Sequence, residues 1–308
     1  MTKQKDLLTK LLELTLALAS LAVITSFTSC HSSGKKVITA ETAGLPAPFI
    51  VTLDNEKDAL YTTKDGVYLG GYDIAVLIEA FKTEYLKDYE LDLRVTAFAT
   101  ALTDAQQGVI DFTVNNWSYN DSRVESYYFS YPYTKTKYEI ISTKGTSYQS
   151  FEEVAASGKK VQSSAGNNVA NAIERWNEVN PSKKIILEYV ESNTTQDQLQ
   201  KIIDGDYVGI GDLPVYASYK TEFPALFAQI EETILSTENS NAITQHATSH
   251  LLFGKTSANS LKYQELFSKA IYSLYESGKI KELSEKYIGY DIVPDKEDFY
   301  YINGNQNK

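Results

Sequence analysis

The chain has 308 residues, a formal net charge of −11 and a single cysteine. The acidic balance argues against nucleic acid as a partner, and against anionic lipid held through a basic patch. One cysteine rules out an internal disulfide, so the fold must hold by core burial, and the length suffices for two lobes of ordinary domain size.

Lys3, Lys5 and Lys10 precede an apolar stretch, Leu11–Phe27, followed by Thr28, Ser29 and Cys30. A basic start, a short apolar core and small residues before a cut site describe a secretory signal. The stretch is short beside the roughly 20 residues of a membrane span. It resembles a bacterial lipobox, with Cys30 as the lipid-modified first residue, although Phe27 stands where leucine is usual. The expected start is thus a signal peptide over 1–29 and a lipidated tether over 30–36. It places the protein on the extracellular face of the cell membrane, held by lipid alone.

Lys36–Thr39 opens a strand that runs into Gly44–Phe49, where two nearby prolines force an extended loop. Gly70-Gly71 precede a helix with Ile74, Leu77, Ile78 and Phe81 on one buried face. Leu91, Leu93, Val95 and Ala97 alternate with other residues as in a strand. Thr100–Gln107 reads as a short helix closed by Gly108. Ile110–Val114 is a buried strand that delivers a polar loop, Asn115–Arg123, and then an aromatic run closed by Pro132. Tyr138–Ser142 is a further strand. After Thr143 the alternation begins again: a helix over Ser150–Ser157, a strand over Lys160–Ser163, then Gly166-Asn167-Asn168 opening a helix with Val169, Ile173 and Trp176 on one face. A strand over Ile185–Val190, a helix over Gln196–Asp204 and a strand over Tyr207–Ile210 follow, the last ending at Gly211-Asp212-Leu213-Pro214. His250–Phe253 is a strand, Asn259–Ser277 a long helix, and Lys281–Tyr287 a short one. From about Asp295 the tail is polar and is expected to be loosely ordered.

Strands alternating with helices in two sets indicate an α/β chain with largely parallel sheets. In open α/β sheets ligands bind beyond the C-terminal strand ends. Three such ends carry polar groups: Asn115–Arg123, Gly166-Asn167-Asn168 and Asp212. If they converge, the cleft offers a cation, a helix start and an anion, the set required by an α-amino acid. Arg123 can grip a carboxylate with two parallel hydrogen bonds. Asp212, with Asn and Ser side chains, can take an ammonium. The plainer readings are a solvated loop for Arg123 and helix capping for Asp212, Asn167 and Asn168.

Seven segments, in order, resemble the extracellular solute-binding proteins of family 3, which serve polar amino acid ABC importers. Gly70–Ala75 resembles Gly-Phe-Asp-Val-Asp, and Gln107–Asp111 resembles Ser-Gly-Lys-Val-Asp. Asn115–Arg123 resembles the family's ligand loop, Tyr131–Tyr133 the motif that follows, and Lys160–Asn168 the Lys-Val-Gly-Val-Gln-Ala-Gly-Thr-Thr stretch. Asp206–Pro214 resembles Asp-Ala-Val-Val-Val-Asp-x-Pro, and Gly278–Gly289 the closing helix.

The resemblance implies a two-lobed, type II periplasmic-binding architecture. Each lobe is a mainly parallel sheet flanked by helices, with the ligand cleft between. Lobe 1 would span 37–143 and 246–290, lobe 2 144–245, and a polar tail 291–308. The hinges would lie near Lys144–Ser147 and Thr237–Gln245. Arg123 would hold the substrate carboxylate with backbone N–H groups at Asn167 and Asn168, Asp212 the ammonium, and Asn116 and Ser118 further hydrogen bonds; Gly166, which opens that loop, would also contact the ligand. Phe98, Phe49 and Trp117 would wall the cleft. Ala43 and Pro46 stand where the family often has an acid and an aromatic. The Asn115-Asn116 pair with Ser118 resembles cystine-type and other polar binders, so cystine or a neutral polar amino acid is the expected ligand. The implied partners are that amino acid and the permease subunits of an importer. The protein would be a monomer without cofactor, metal or catalytic residue. Two other readings are an enzyme on the same scaffold, similar to cyclohexadienyl dehydratase, and a surface sensory or adhesive module. For the enzyme, His31, His246 and His250 supply no evident acid–base pair.

Overall fold

The computed structural model describes residues 34–190, 194–244 and 246–300. Cys30, the signal segment and residues 301–308 lie outside them. No described helix is long and apolar enough to cross a membrane.

The first sheet has the order β5 (Tyr89–Val95), β1 (Lys36–Thr42), β6 (Phe112–Tyr119), β14 (His246–Gly254), β7 (Tyr127–Phe129), and β8 (Thr134–Lys135) also pairs with β14. The second has the order β11 (Ile186–Tyr189), β10 (Lys160–Ser163), β12 (Tyr207–Asp212), β9 (Tyr138–Thr143), β13 (Ile230–Ile234). A small sheet of β2 (Val51–Leu53), β4 (Tyr68–Gly70) and β3 (Tyr61–Thr62) extends the first half of the chain. Strands linked through helices run parallel, as β1 with β6 and β10 with β11 and β12. Strands by which the chain enters a sheet from the other half run antiparallel: β9 beside β12, and β14 beside β6. This is the α/β, type II periplasmic-binding architecture, two lobes each built on one sheet.

The helices form where their apolar period and caps place them. Tyr72–Lys82 buries Ile74, Leu77 and Ala80 against the first core. Phe151–Ser157 starts at Ser150, whose Oγ accepts the Glu153 N–H, and stops at Gly158 in the left-handed region. Gly254 allows the closest approach among the described glycines: a Cβ there would lie 1.7 Å from the Ala105 carbonyl oxygen. That contact seats the helix Phe98–Gln107 on β14.

Four expectations change. The polar stretch Asn115–Tyr119 is not loop; it remains in β6, because β14 pairs with it from 130 residues away, Trp117 opposite His250. Only Asp121–Ser126 leaves the strand, as a short helix. Second, β9 pairs with β12 and β13, so the second lobe begins at Tyr138 and not after Thr143. The first crossing is therefore Thr136–Lys137 rather than Lys144–Ser147. Third, Thr237–Thr244 is a helix preceding the return at β14, and β13 before it was not anticipated. Fourth, the described part of the tail, residues 291–300, packs against the first lobe. Phe299 is 3% exposed and packs on Tyr131, Tyr272 and Tyr275, while Lys135 pairs with Asp295 at 2.6 Å and Asp298 at 2.9 Å. The Lys135 N–H also donates to the Ile292 carbonyl at 2.8 Å. Buried aromatic area outweighs the polar composition that suggested disorder.

Candidate binding site

A cleft of about 390 Å³ opens between the two sheets, at the low end of small-molecule sites. The first lobe contributes Phe98, Asn115, Asn116, Trp117 and Arg123, and the second Asn167, Asn168 and Asp212.

Arg123 sits in the short helix after β6, whose start is capped by Asn120: its Oδ1 accepts the Arg123 N–H at 2.9 Å. The guanidinium is buried, 4.9 Å from the Trp117 ring centroid. Nη1 donates to the Ser118 carbonyl and Nη2 to the Gly166 carbonyl, each at 2.8 Å. No carboxylate pairs with it among the described residues. Burial lowers its pKa to about 10, which still leaves a cation at neutral pH. Burying a guanidinium against neutral acceptors alone leaves its charge without compensation from any described carboxylate, and an anion entering the cleft would offset it.

Asp212 ends β12 at the N-cap position of the helix Leu213–Glu222, yet its side chain makes no capping bond. One oxygen instead accepts from Thr136 Oγ1 at 3.0 Å, and the carboxyl faces the cleft. Burial raises its pKa to about 6. Arg123 and Asp212 are the only charged side chains on the described lining; its other polar members include Asn115, Asn116, Gln162, Ser163, Ser164 and Gln198.

The remaining expected residues divide. Asn116 lines the cleft with φ 48° and its Oδ1 unpartnered. Trp117 and Phe98 stack at 4.5 Å as one wall. The side chain of Asn167 is a helix cap, accepting the Val169 N–H at 2.8 Å, and its own N–H is given to the Ser164 carbonyl. That leaves the N–H of Asn168, the first helical residue, without an intrahelical acceptor. Asn168 Oδ1 accepts from Asn120 Nδ2 at 2.8 Å, a direct bond between the lobes. Gly166 and Ser118 act through carbonyls that hold Arg123, and neither lines the cleft. Phe49 is a correction: it is fully buried in the first core, edge-on to Tyr72, and forms no cleft wall. It lies beyond both prolines, where local sequence gives no sign of which way a ring turns.

Sequence reasoning missed Tyr138, Tyr216 and Gln162 on the lining, and the buried Asp73 behind it. It named Asn115 without a role. Asn115 Oδ1 accepts from the Ala43 N–H at 2.7 Å and Thr42 Oγ1 at 2.9 Å, which fixes the amide and leaves Nδ2 as an unpartnered donor. His250 is structural: it is buried, bonds to Ser130 and Thr248, and burial lowers its pKa to about 3 and so keeps it neutral. No cluster of metal-ligating side chains occurs among the described residues.

A family model described as bacterial extracellular solute-binding proteins, family 3, matches residues 50–290. The probable amino-acid-binding protein YxeM of Bacillus subtilis is 28% identical over 238 residues, covering 77% of this chain and 83% of the relative. The L-cystine-binding protein TcyK of the same organism is 24% identical, covering 88% and 93%. A solved structure from work on glutathione import via GshT and the cystine ABC importer TcyBC of Streptococcus mutans superposes with a TM-score of 0.70 at 23% identity, covering 86% of this chain and 99% of that one.

Proposed function

Since the chain belongs to the bacterial extracellular solute-binding proteins, family 3, we propose that it captures a free amino acid in this cleft and delivers it to the permease of an ABC importer. One observation carries the reading: a buried Arg123 that no described carboxylate neutralises faces a cleft whose only other described charge is Asp212. That pair matches one α-carboxylate and one α-ammonium. The rest of the described lining is neutral and rich in amides, hydroxyls and tyrosines, which favours a neutral polar side chain over a charged one. Cystine is the first candidate, because its second head group is a zwitterion of zero net charge that neutral donors and acceptors can hold, and because the chain is similar to an L-cystine-binding protein.

Ligand contacts from both lobes favour the closed arrangement through bonds available only there. Rotation would centre on the crossings Thr136–Lys137 and the return before His246. Cys30 would tether the monomer to the outer face of the membrane through lipid. No catalytic step is part of this reading.

A thermal-shift panel of amino acids, cystine included, on the chain without its first thirty residues tests it. A ligand at 100 times its Kd raises stability by about 2.7 kcal/mol through mass action, a readily visible shift. If no amino acid raises the melting temperature, the proposal fails.

A further inference from the structure

Asn116 is the only non-glycine residue at positive φ among the described residues. The left-handed region costs an L-residue about 1–2 kcal/mol, less for asparagine. What sustains it is Asp73, in the first turn of the helix Tyr72–Lys82 and 1% exposed. Its Oδ2 accepts the Asn116 N–H at 2.7 Å; its Oδ1 has no partner of normal hydrogen-bond geometry, though the Tyr133 hydroxyl lies near enough to favour the charged carboxyl.

One buried N–H needs only a neutral acceptor. A carboxylate is the costlier choice, since burying an ionised acid without a counter-charge is worth several kcal/mol of penalty. The helix start offsets part of that. Nothing cationic faces it: Tyr72 adjoins it on its own helix, Tyr133 approaches from the segment after β7, Asn116 from β6, and Asp212 acts on it from the second lobe. One acid thus stands on the lining and a second lies buried behind it, close enough to feel its charge, while the described lining holds a single cation, Arg123.

We infer that Asp73 is a positioning residue of the ammonium subsite, fixing Asn116 in its left-handed conformation and adding a second negative charge to the field that Asp212 presents to a cationic ligand group. The inference rests on the amino acid reading above. Burial raises the Asp73 pKa to about 7, with Asp212 contributing, and that of Asp212 to about 6. A bound ammonium lowers both, so affinity is full above these values and is lost as pH falls through them.

The test uses the amino acid that most raises the wild-type melting temperature, titrated by calorimetry from pH 8.5 to 5. Wild-type affinity is expected to fall across the range from about 7 downwards, with protons released on binding at pH 7. D73N keeps an oxygen for the Asn116 N–H but no charge. It should bind on the order of tenfold more weakly at pH 8, the equivalent of one pKa unit. It should also lose the upper part of the pH response while keeping the part due to Asp212. Equal affinity and an unchanged pH profile in D73N would overturn the inference and leave the amino acid reading standing. If D73N does not fold, a wild-type affinity that is flat between pH 8 and 6 overturns it alone. Failure of every amino acid to bind wild type removes the underlying reading instead.

Discussion

Arg123→Ala tests the site at its centre. The side chain gives two N–H groups to carbonyls and retains others on a buried guanidinium that no described carboxylate neutralises. A ligand carboxylate accepting two of these makes charge-assisted bonds of about 1.5–3 kcal/mol each, so truncation should remove about 3–6 kcal/mol of binding. That corresponds to an affinity loss of roughly 10²- to 10⁴-fold. Effects on the unliganded fold oppose one another. The Ser118 and Gly166 carbonyls lose a donor, but a buried, unpaired cation is also removed. The melting temperature without ligand should therefore change little, while the ligand-induced shift disappears. Calorimetric titration and melting with and without ligand measure both quantities. Arg123→Lys keeps the charge without the planar fork and should fall between wild type and alanine. An alanine variant that binds within threefold of wild type would refute the assignment of Arg123 to the carboxylate.

Two further outcomes follow from groups outside the cleft. Glu139 is 1% exposed with neither oxygen bonded, and burial, with Glu232 nearby, raises its pKa to about 8. Its folded pKa exceeds the unfolded value near 4.5, so the folded chain holds the proton more tightly and stability falls as pH rises from about 4.5 through 8. Glu139→Gln should remove that loss, making the variant more stable than wild type at pH 9 by as much as a few kcal/mol in urea unfolding, with little difference at pH 5. Equal slopes of stability against pH would contradict it. Phe299→Ala deletes a buried ring packed on three tyrosines and should cost about 3 kcal/mol in chemical unfolding; a loss under 1 kcal/mol would mean that the tail contributes no core.

Much of the local structure was legible because its causes are local. Gly158 and Gly278 stop their helices or turns in the left-handed region, and Ser150 caps the helix it precedes. That Arg123 and Asp212 both come to one cleft was legible as an expectation, because each stands at the C-terminal end of a buried strand, where open α/β sheets bind ligands. The failures share a different cause. Asn115–Tyr119 looks like a loop by composition, and only a partner strand far along the chain keeps it extended. Tyr138–Thr143 reads as a strand in isolation, but nothing within it says which sheet will accept its backbone groups.

The sequence alone determined the alternation of strands and helices, the places where they stop, and the chemical types brought to the strand ends, since periodicity, caps and glycine conformations act within a few residues. The tertiary structure decided which sheet each strand joined, that Phe49 turned into the core, that the tail folded back on Lys135, and which atoms were left without partners. Those outcomes depend on hydrogen-bond ladders and burial between distant segments. The unpartnered atoms of Asn115, Asn116 and Asp73, and the absence of a described anion for Arg123, exist only once every nearer partner has been placed.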